Sequence, residues 1–144
     1  MTVSMNPYLH FSGEARAALE FYRSVLGGEV QIMTFGDMGA EGPVPAPEHV
    51  MHGYLGTPDG LSLMVSDGAD GGQGSSDPNP APSSGLSIAL SGDDVPTLER
   101  WFAGLSEGGV VDVPLEKQLW GDLFGQVTDR FGVRWLVNAS LGSA

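Results

Sequence analysis

Two stretches of this chain follow one plan. YLHFSGEARAALEFYRSVLGGEV near the start and LSIALSGDDVPTLERWFAGLSEGGVV later both read strand, Ser-Gly, acidic residue, helix, Gly-Gly, strand. Seven pairs stand 79 residues apart: Ser12 and Ser91, Gly13 and Gly92, Glu14 and Asp93, Leu19 and Leu98, Glu20 and Glu99, Tyr22 and Trp101, Leu26 and Leu105. One or two such matches arise by chance; seven in register, with shared punctuation, indicate a duplicated unit. The repeat resumes 72 residues apart, where YLGTPDGLSLMV matches QVTDRFGVRWLV and pairs Leu55 with Val127, Gly60 with Gly132 and Met64 with Leu136. The missing residues fall in GDMGAEGPVPAPEH, whose Gly, Pro and Ala content reads as a long loop.

Each half is therefore expected to hold one helix and four strands. In the first, Pro7–Phe11 reads as a strand and Gly13–Leu26 as a helix with an acidic first turn, which its dipole favours. Ala17, Ala18, Phe21, Tyr22 and Val25 recur at helical spacing, and Gly27-Gly28 ends the run. Strands follow at Glu29–Phe35, Val50–Gly56 and Leu61–Ser66, the last two joined by the turn TPDG. The second half repeats this with strand Leu86–Leu90, helix Val95–Leu105, strand Val110–Pro114 and a final pair flanking DRFG. DGADGGQGSSDPNPAPSSG, Asp67 to Gly85, is nearly free of large apolar residues and reads as a linker or lid.

One βαβββ unit cannot bury a sheet face alone. The expected fold class is α+β: paired βαβββ modules forming a curved, partly closed eight-stranded sheet around a cavity, with helices outside. The chain is expected to be a single domain over 1–144, with modules at about 6–67 and 86–139 and a linker at about 68–85. At 144 residues and 41% apolar content it can bury a substantial core. The absence of cysteine excludes disulfides, thiolate metal sites and a cysteine nucleophile. A formal charge of −12 repels phosphate backbones and anionic membranes, so neither nucleic acid nor membrane is an expected partner. The first residues lack a basic segment followed by an apolar one, and a cytoplasmic location is expected.

The stretches PYLHFSG, AALEFYRSVLGGEV, MTFGDM, HVMHGYL, LMVSD, WGDLFGQVTDRFGVRW and VN together resemble the PhnB-like branch of the vicinal oxygen chelate superfamily. That superfamily includes glyoxalase I, extradiol dioxygenases and fosfomycin- and bleomycin-resistance proteins. The resemblance spans Pro7 to Asn138 and implies a homodimer with a cavity formed by paired modules. It does not imply one reaction, because relatives isomerise, cleave rings, open epoxides or only sequester a drug. Relatives described as ubiquinone methyltransferases are no guide, since this chain has no Gly-rich strand–loop–helix start for S-adenosylmethionine.

The chemistry that the resemblance implies rests on a divalent metal held by His, Gln and Glu from inner strands. At the positions where glyoxalase-like members carry a Glu ligand, this chain has Met64 and Leu136, and neither ligates a hard cation. The strand opening the second half reads Leu86, Ser87, Ile88 where His or Gln is expected, and the first strand offers Asn6, Tyr8 or His10. The standard metal site is therefore expected to be missing.

Several residues remain as candidates. His10 and His52, with Tyr8 and Tyr54 at matching strand parity, can serve as a displaced ligand pair, as acid and base, or as hydrogen-bonded lining. His49 follows Pro-Glu in a loop and reads as surface. Asp37 and Asp67 end strand-like runs, where a carboxylate binds a metal or amine, or caps backbone N–H groups in a turn. Trp120 and Phe124 in WGDLFG suggest a pocket wall or a plug, and Trp135 core or cavity lining. Asp129 and Arg130 read as turn residues, and Arg134 as an anion-orienting or ion-paired group. The expected function is small-molecule binding in an apolar, aromatic-lined cavity. The alternative is a metal-dependent lyase, isomerase or dioxygenase with a displaced divalent-metal site, and the third is an interaction dimer with a filled cavity.

Overall fold

The computed structural model describes residues 3–37, 47–67 and 86–141, which fall in two units, Met1–Pro80 and Ala81–Ala144. The first contains β1 (Tyr8–His10), α1 (Ala15–Leu26), β2 (Glu29–Thr34), β3 (Val50–Gly56) and β4 (Ser62–Ser66). The second contains β5 (Ile88–Gly92), α2 (Val95–Ser106), β6 (Val110–Lys117), β7 (Leu123–Thr128) and β8 (Arg134–Ala139). Each is a βαβββ module. The anticipated single eight-stranded sheet is instead two four-stranded mixed sheets, ordered β1-β4-β3-β2 and β5-β8-β7-β6. In each, the opening strand pairs parallel with the last and the other pairs are antiparallel. The expected linker, and most of the expected long loop, lie outside the described residues.

The register corrects the repeat. Ser66 and Asn138 are equivalent at the 72-residue spacing, and they pair with His10 and Ser91. His10 and Ser91, 81 positions apart, therefore occupy the same place. Glu29 and Val110 agree, because they pair with the equivalent residues Gly56 and Thr128. The Ser-Gly matches at 79 are two residues out of step. Two is the period of a strand, so the face assignments on the strands survive the slip.

The same spacing relates two close backbone approaches. A Cβ built on Gly28 would lie 2.3 Å from the Gly56 carbonyl oxygen, and one on Gly109 would lie 2.3 Å from that of Thr128. Gly28 also has φ +98°, a region costly for L-residues. Gly28→Ala should therefore lower stability by roughly 2–3 kcal/mol. A denaturant midpoint equal to that of the parent would contradict this close approach.

The core of the first unit lies between α1 and one sheet face. Ala15, Ala18, Leu19 and Tyr22 are buried on α1, against Leu9, Val50, Leu55, Leu63 and Val65. The buried stripe is rotated from the expected one: Ala17 is exposed and Phe21 and Val25 are half-buried. Gly53 in β3 lets the helix approach, since a Cβ there would lie 2.8 Å from Val65 and 3.0 Å from Leu19. Its equivalent Gly125 plays the same part beneath Phe102 of α2, where the built Cβ meets the ring at 2.8 Å. Leu98, Trp101, Phe102 and Leu105 are the buried residues of α2.

The ends of α1 also differ from expectation. No acidic residue lies in its first turn; Glu14 is the N-cap position and makes no side-chain cap. The carboxylate comes instead from the end of β4. Asp67, 1% exposed, accepts from the backbone N–H groups of Gly13 (2.8 Å), Ala15 (2.9 Å) and Val50 (2.8 Å). It ties the helix start to two strands, and its turn-capping role is plain. Gly27, at φ 80°, ends the helix as expected, its N–H donating to the Arg23 carbonyl.

The closing hairpins are near copies. Thr57 and Asp129 are equivalent, and each accepts through its side chain from the residue four positions on, Leu61 and Val133. The Asp129 carboxylate also accepts from Phe131 N–H (2.8 Å) and Trp135 Nε1–H (2.9 Å). The phenol and indole side chains divide by unit: Tyr8, Tyr22 and Tyr54 in the first, Trp101, Trp120 and Trp135 in the second. Among the described residues no helix is long and apolar enough to cross a membrane.

Candidate functional site

α1 covers one face of the first sheet and leaves the other to Tyr8, His10, Gln31, Met33, His52, Tyr54 and Met64. Register groups them in rows. Tyr8 lies beside Met64, Met64 beside Tyr54 and Tyr54 beside Gln31. In the next row His10 lies beside Ser66, and His52 beside Met33. The register shifts between Met33 and Thr34, so that Thr34 faces Val50 and Met51 is the extra residue. This bulge turns Val50 into the core while His52 stays on the uncovered face, although simple alternation predicts one face for both.

Three rings meet on this face. Tyr8 stacks on His10 with centroids 5.0 Å apart and planes at 25°. It lies against His52 at 5.7 Å and 49°. The Tyr8 hydroxyl is 3.1 Å from His52 Nδ1. A phenol is a stronger donor than a neutral imidazole N–H, and an imidazole nitrogen the stronger acceptor. Tyr8 O–H is accordingly assigned as donor, with the imidazole proton on Nε2. Tyr54 lies over Gly56, where an added Cβ would meet its ring at 2.9 Å. Beside these rings is a hollow of about 390 Å³ lined by Gln31, Ile32, Met33, His52 and Tyr54. Sequence alternation alone missed Gln31 and Met33; only the β2–β3 pairing across the long loop brings them beside Tyr54 and His52.

The other expected residues are placed as follows. Met64 and Leu136 hold equivalent positions, each on the strand between the opening strand and the third, beside Tyr54 and Gln126 respectively. Trp120 is 62% exposed at the β6–β7 turn and meets Phe124 edge-on at 6.0 Å. Of the two readings of Trp135, core and cavity lining, the structure takes the first: it is 1% exposed, β8 alternation puts it with Val133 and Val137, and its indole N–H is committed to Asp129. Asp37 caps a turn, accepting from Thr34 N–H at 3.1 Å, while its own N–H donates to Thr34 Oγ1. The Thr34 backbone N–H, then the Thr34 side chain, hold its carboxyl below the usual carboxylate value. His49 is corrected. The residue is half-buried rather than fully on the surface: its ring packs over Gly13, and its Nδ1 is buried with no partner among the described residues.

A divalent cation needs several N or O ligands at one point. Among the described residues no group of three His, Asp or Glu converges in that way. His10 and His52 each contact the Tyr8 ring, and His52 Nδ1 is engaged by the Tyr8 hydroxyl. With no third such ligand among the described residues, this histidine pair alone offers fewer ligands than a divalent cation needs.

Residues 4–137 match the model of the glyoxalase/bleomycin resistance protein/dioxygenase superfamily. Protein YjdN of Escherichia coli is 29% identical over 148 residues, covering 93% of this chain and 93% of that protein. The solved structure of PA1353 from Pseudomonas aeruginosa has 36% identity and a TM-score of 0.80, covering 96% of this chain and 98% of that one. The PhnB protein from Bacillus cereus has 21% identity and a TM-score of 0.75, covering 96% and 100%, a likeness of fold.

Proposed function

The chain belongs to the glyoxalase/bleomycin resistance protein/dioxygenase superfamily, and from that premise we propose that it binds a small, largely apolar molecule on the uncovered face of its first sheet, making and breaking no bond there. Membership alone leaves the chemistry open, since one fold hosts many activities. The observation that carries the reading is the ring cluster of Tyr8, His10 and His52 beside the hollow lined by Gln31, Met33, His52 and Tyr54. Aromatic and thioether side chains offer broad, polarizable contact, and a few polar groups orient the guest. Met64 and Leu136, where a metal-dependent relative would need oxygen or nitrogen ligands, weigh against Lewis-acid chemistry at that place.

The test is titration with Nile red, a neutral apolar fluorophore. The parent should bind it, and the double variant Tyr8→Ala, Tyr54→Ala should bind at least about tenfold more weakly, the loss of roughly 1.4 kcal/mol of ring contact. Equal binding by parent and variant would remove this face from consideration. Calorimetric titration of chelator-stripped protein with Ni²⁺ or Zn²⁺ alone supplies the opposing arm. Stoichiometric binding abolished by His52→Ala would favour the metal-dependent reading instead.

A further inference from the structure

We infer that the guest of this face is an uncharged planar aromatic molecule bearing a hydrogen-bond acceptor, such as a ketone oxygen, attached to its ring. The inference rests on the binding reading above and specifies its ligand class.

The first argument concerns charge. Within Met1–Pro80 the only Lys or Arg residues are Arg16 and Arg23. Both are on α1, and Arg23 is paired with Glu20 at 3.1 Å. The helix packs on the opposite face of the sheet, so neither guanidinium belongs to the ring-bearing face. On that face Glu29, at the start of β2, is the one charged residue of matching parity among the strand residues. An anionic guest thus meets no Lys or Arg from this unit, only the imidazoles of His10 and His52, with one carboxylate at the rim and a chain of formal charge −12. Desolvating an anion without a partner is costly, and a neutral guest avoids that cost.

The second argument concerns the donor. With the Tyr8 hydroxyl donating to Nδ1, the His52 proton sits on Nε2. Among the described residues nothing else bonds to His52, so Nε2–H is left as a donor on a half-buried ring bordering the hollow. A guest that offers it an acceptor gains a hydrogen bond; one that does not leaves it unpaired on binding, which weakens the complex. The Tyr8–His52 contact thereby acts as a positioning device, fixing which imidazole nitrogen meets the guest.

The third argument concerns shape. The Tyr8 and His10 rings lie nearly parallel, and Tyr54 and Met33 line the adjoining hollow. Flat π surfaces and thioethers favour a ring over a puckered aliphatic of equal size.

The experiment uses the full chain with ¹³C-methyl methionine and follows the Met33 and Met64 methyl resonances. The probes are 2-acetylnaphthalene, 2-naphthoate and 2-acetyldecalin, matched in size but differing in charge or planarity. 2-Acetylnaphthalene should shift both methyls through its ring current, with affinity at least about tenfold above either of the others. His52→Phe, which keeps a ring and loses the donor, should weaken it about tenfold, and His52→Gln, which keeps a donor, should recover part of that loss. Naphthoate binding as well as the ketone, or His52→Phe binding it unchanged, would overturn this inference while leaving the binding reading intact. No methyl shift with any of the three, in protein that still binds Nile red through Tyr8 and Tyr54, would overturn the inference as well. Failure of Nile red binding would bring down the underlying reading itself.

Discussion

Asp67→Ala is expected to lower the unfolding free energy by roughly 3–5 kcal/mol. The side chain is only a carboxylate, yet it serves three donors from three places in the chain: Gly13, Ala15 and Val50. Removing it orphans N–H groups at the start of α1 and at the start of β3, and the bonds to Ala15 and Val50 are buried. Asp67→Asn should fall between parent and Ala. One oxygen of the amide can still accept from Gly13 and Ala15, while the NH₂ group would face the Val50 N–H and repel it. Denaturant unfolding followed by circular dichroism gives the stability order, and amide hydrogen exchange locates the damage. Faster exchange should appear first at Ala15 and Val50. An Asp67→Ala protein as stable as the parent would mean that these three bonds contribute nothing net.

Trp135→Ala should cost a similar amount, roughly 3–5 kcal/mol, in the second module. Its indole is 1% exposed and fills the core with Val127, Val133 and Val137. Trp135→Phe separates volume from hydrogen bonding. It retains most of the packing but leaves Asp129 Oδ2 without its indole donor, so the cost should be nearer 1–2 kcal/mol. If the Phe variant were as unstable as the Ala variant, the hydrogen bond rather than the ring volume would dominate. A double-mutant cycle with Asp129→Ala measures the coupling directly.

The paired architecture was legible because punctuation and periodicity repeat. Gly-Gly after each helix, the TPDG and DRFG turns and the alternation in β3, β4, β7 and β8 each have a local physical cause. What local pattern did not reveal was anything that depends on a distant partner. The helix cap was sought within the helix, in its own first turn, whereas the carboxylate comes from Asp67, over 50 positions downstream. The 79-residue spacing rested on matching letters, whereas the true equivalence is set by which strand residues pair. Met33 and Gln31 escaped notice because a long loop separates β2 from β3. For Trp135 the sequence admits both core and lining, because parity tells which residues share a face, not which face a helix covers. Parity places Tyr8 with His10 and His52 with Tyr54, and for His52 the pairing of faces holds because the bulge falls before it in β3, at Met51.

The partition of tyrosine and tryptophan between the modules gives the molecule a built-in optical label. Light absorbed by tyrosine is either re-emitted or passed to an indole nearby, so the first module carries only energy donors and the second only acceptors. Excitation at the red edge of the absorption band selects the second module alone. Comparing emission at the two excitation wavelengths then tells a change in the second module from one in the first, in solution and without attaching a dye.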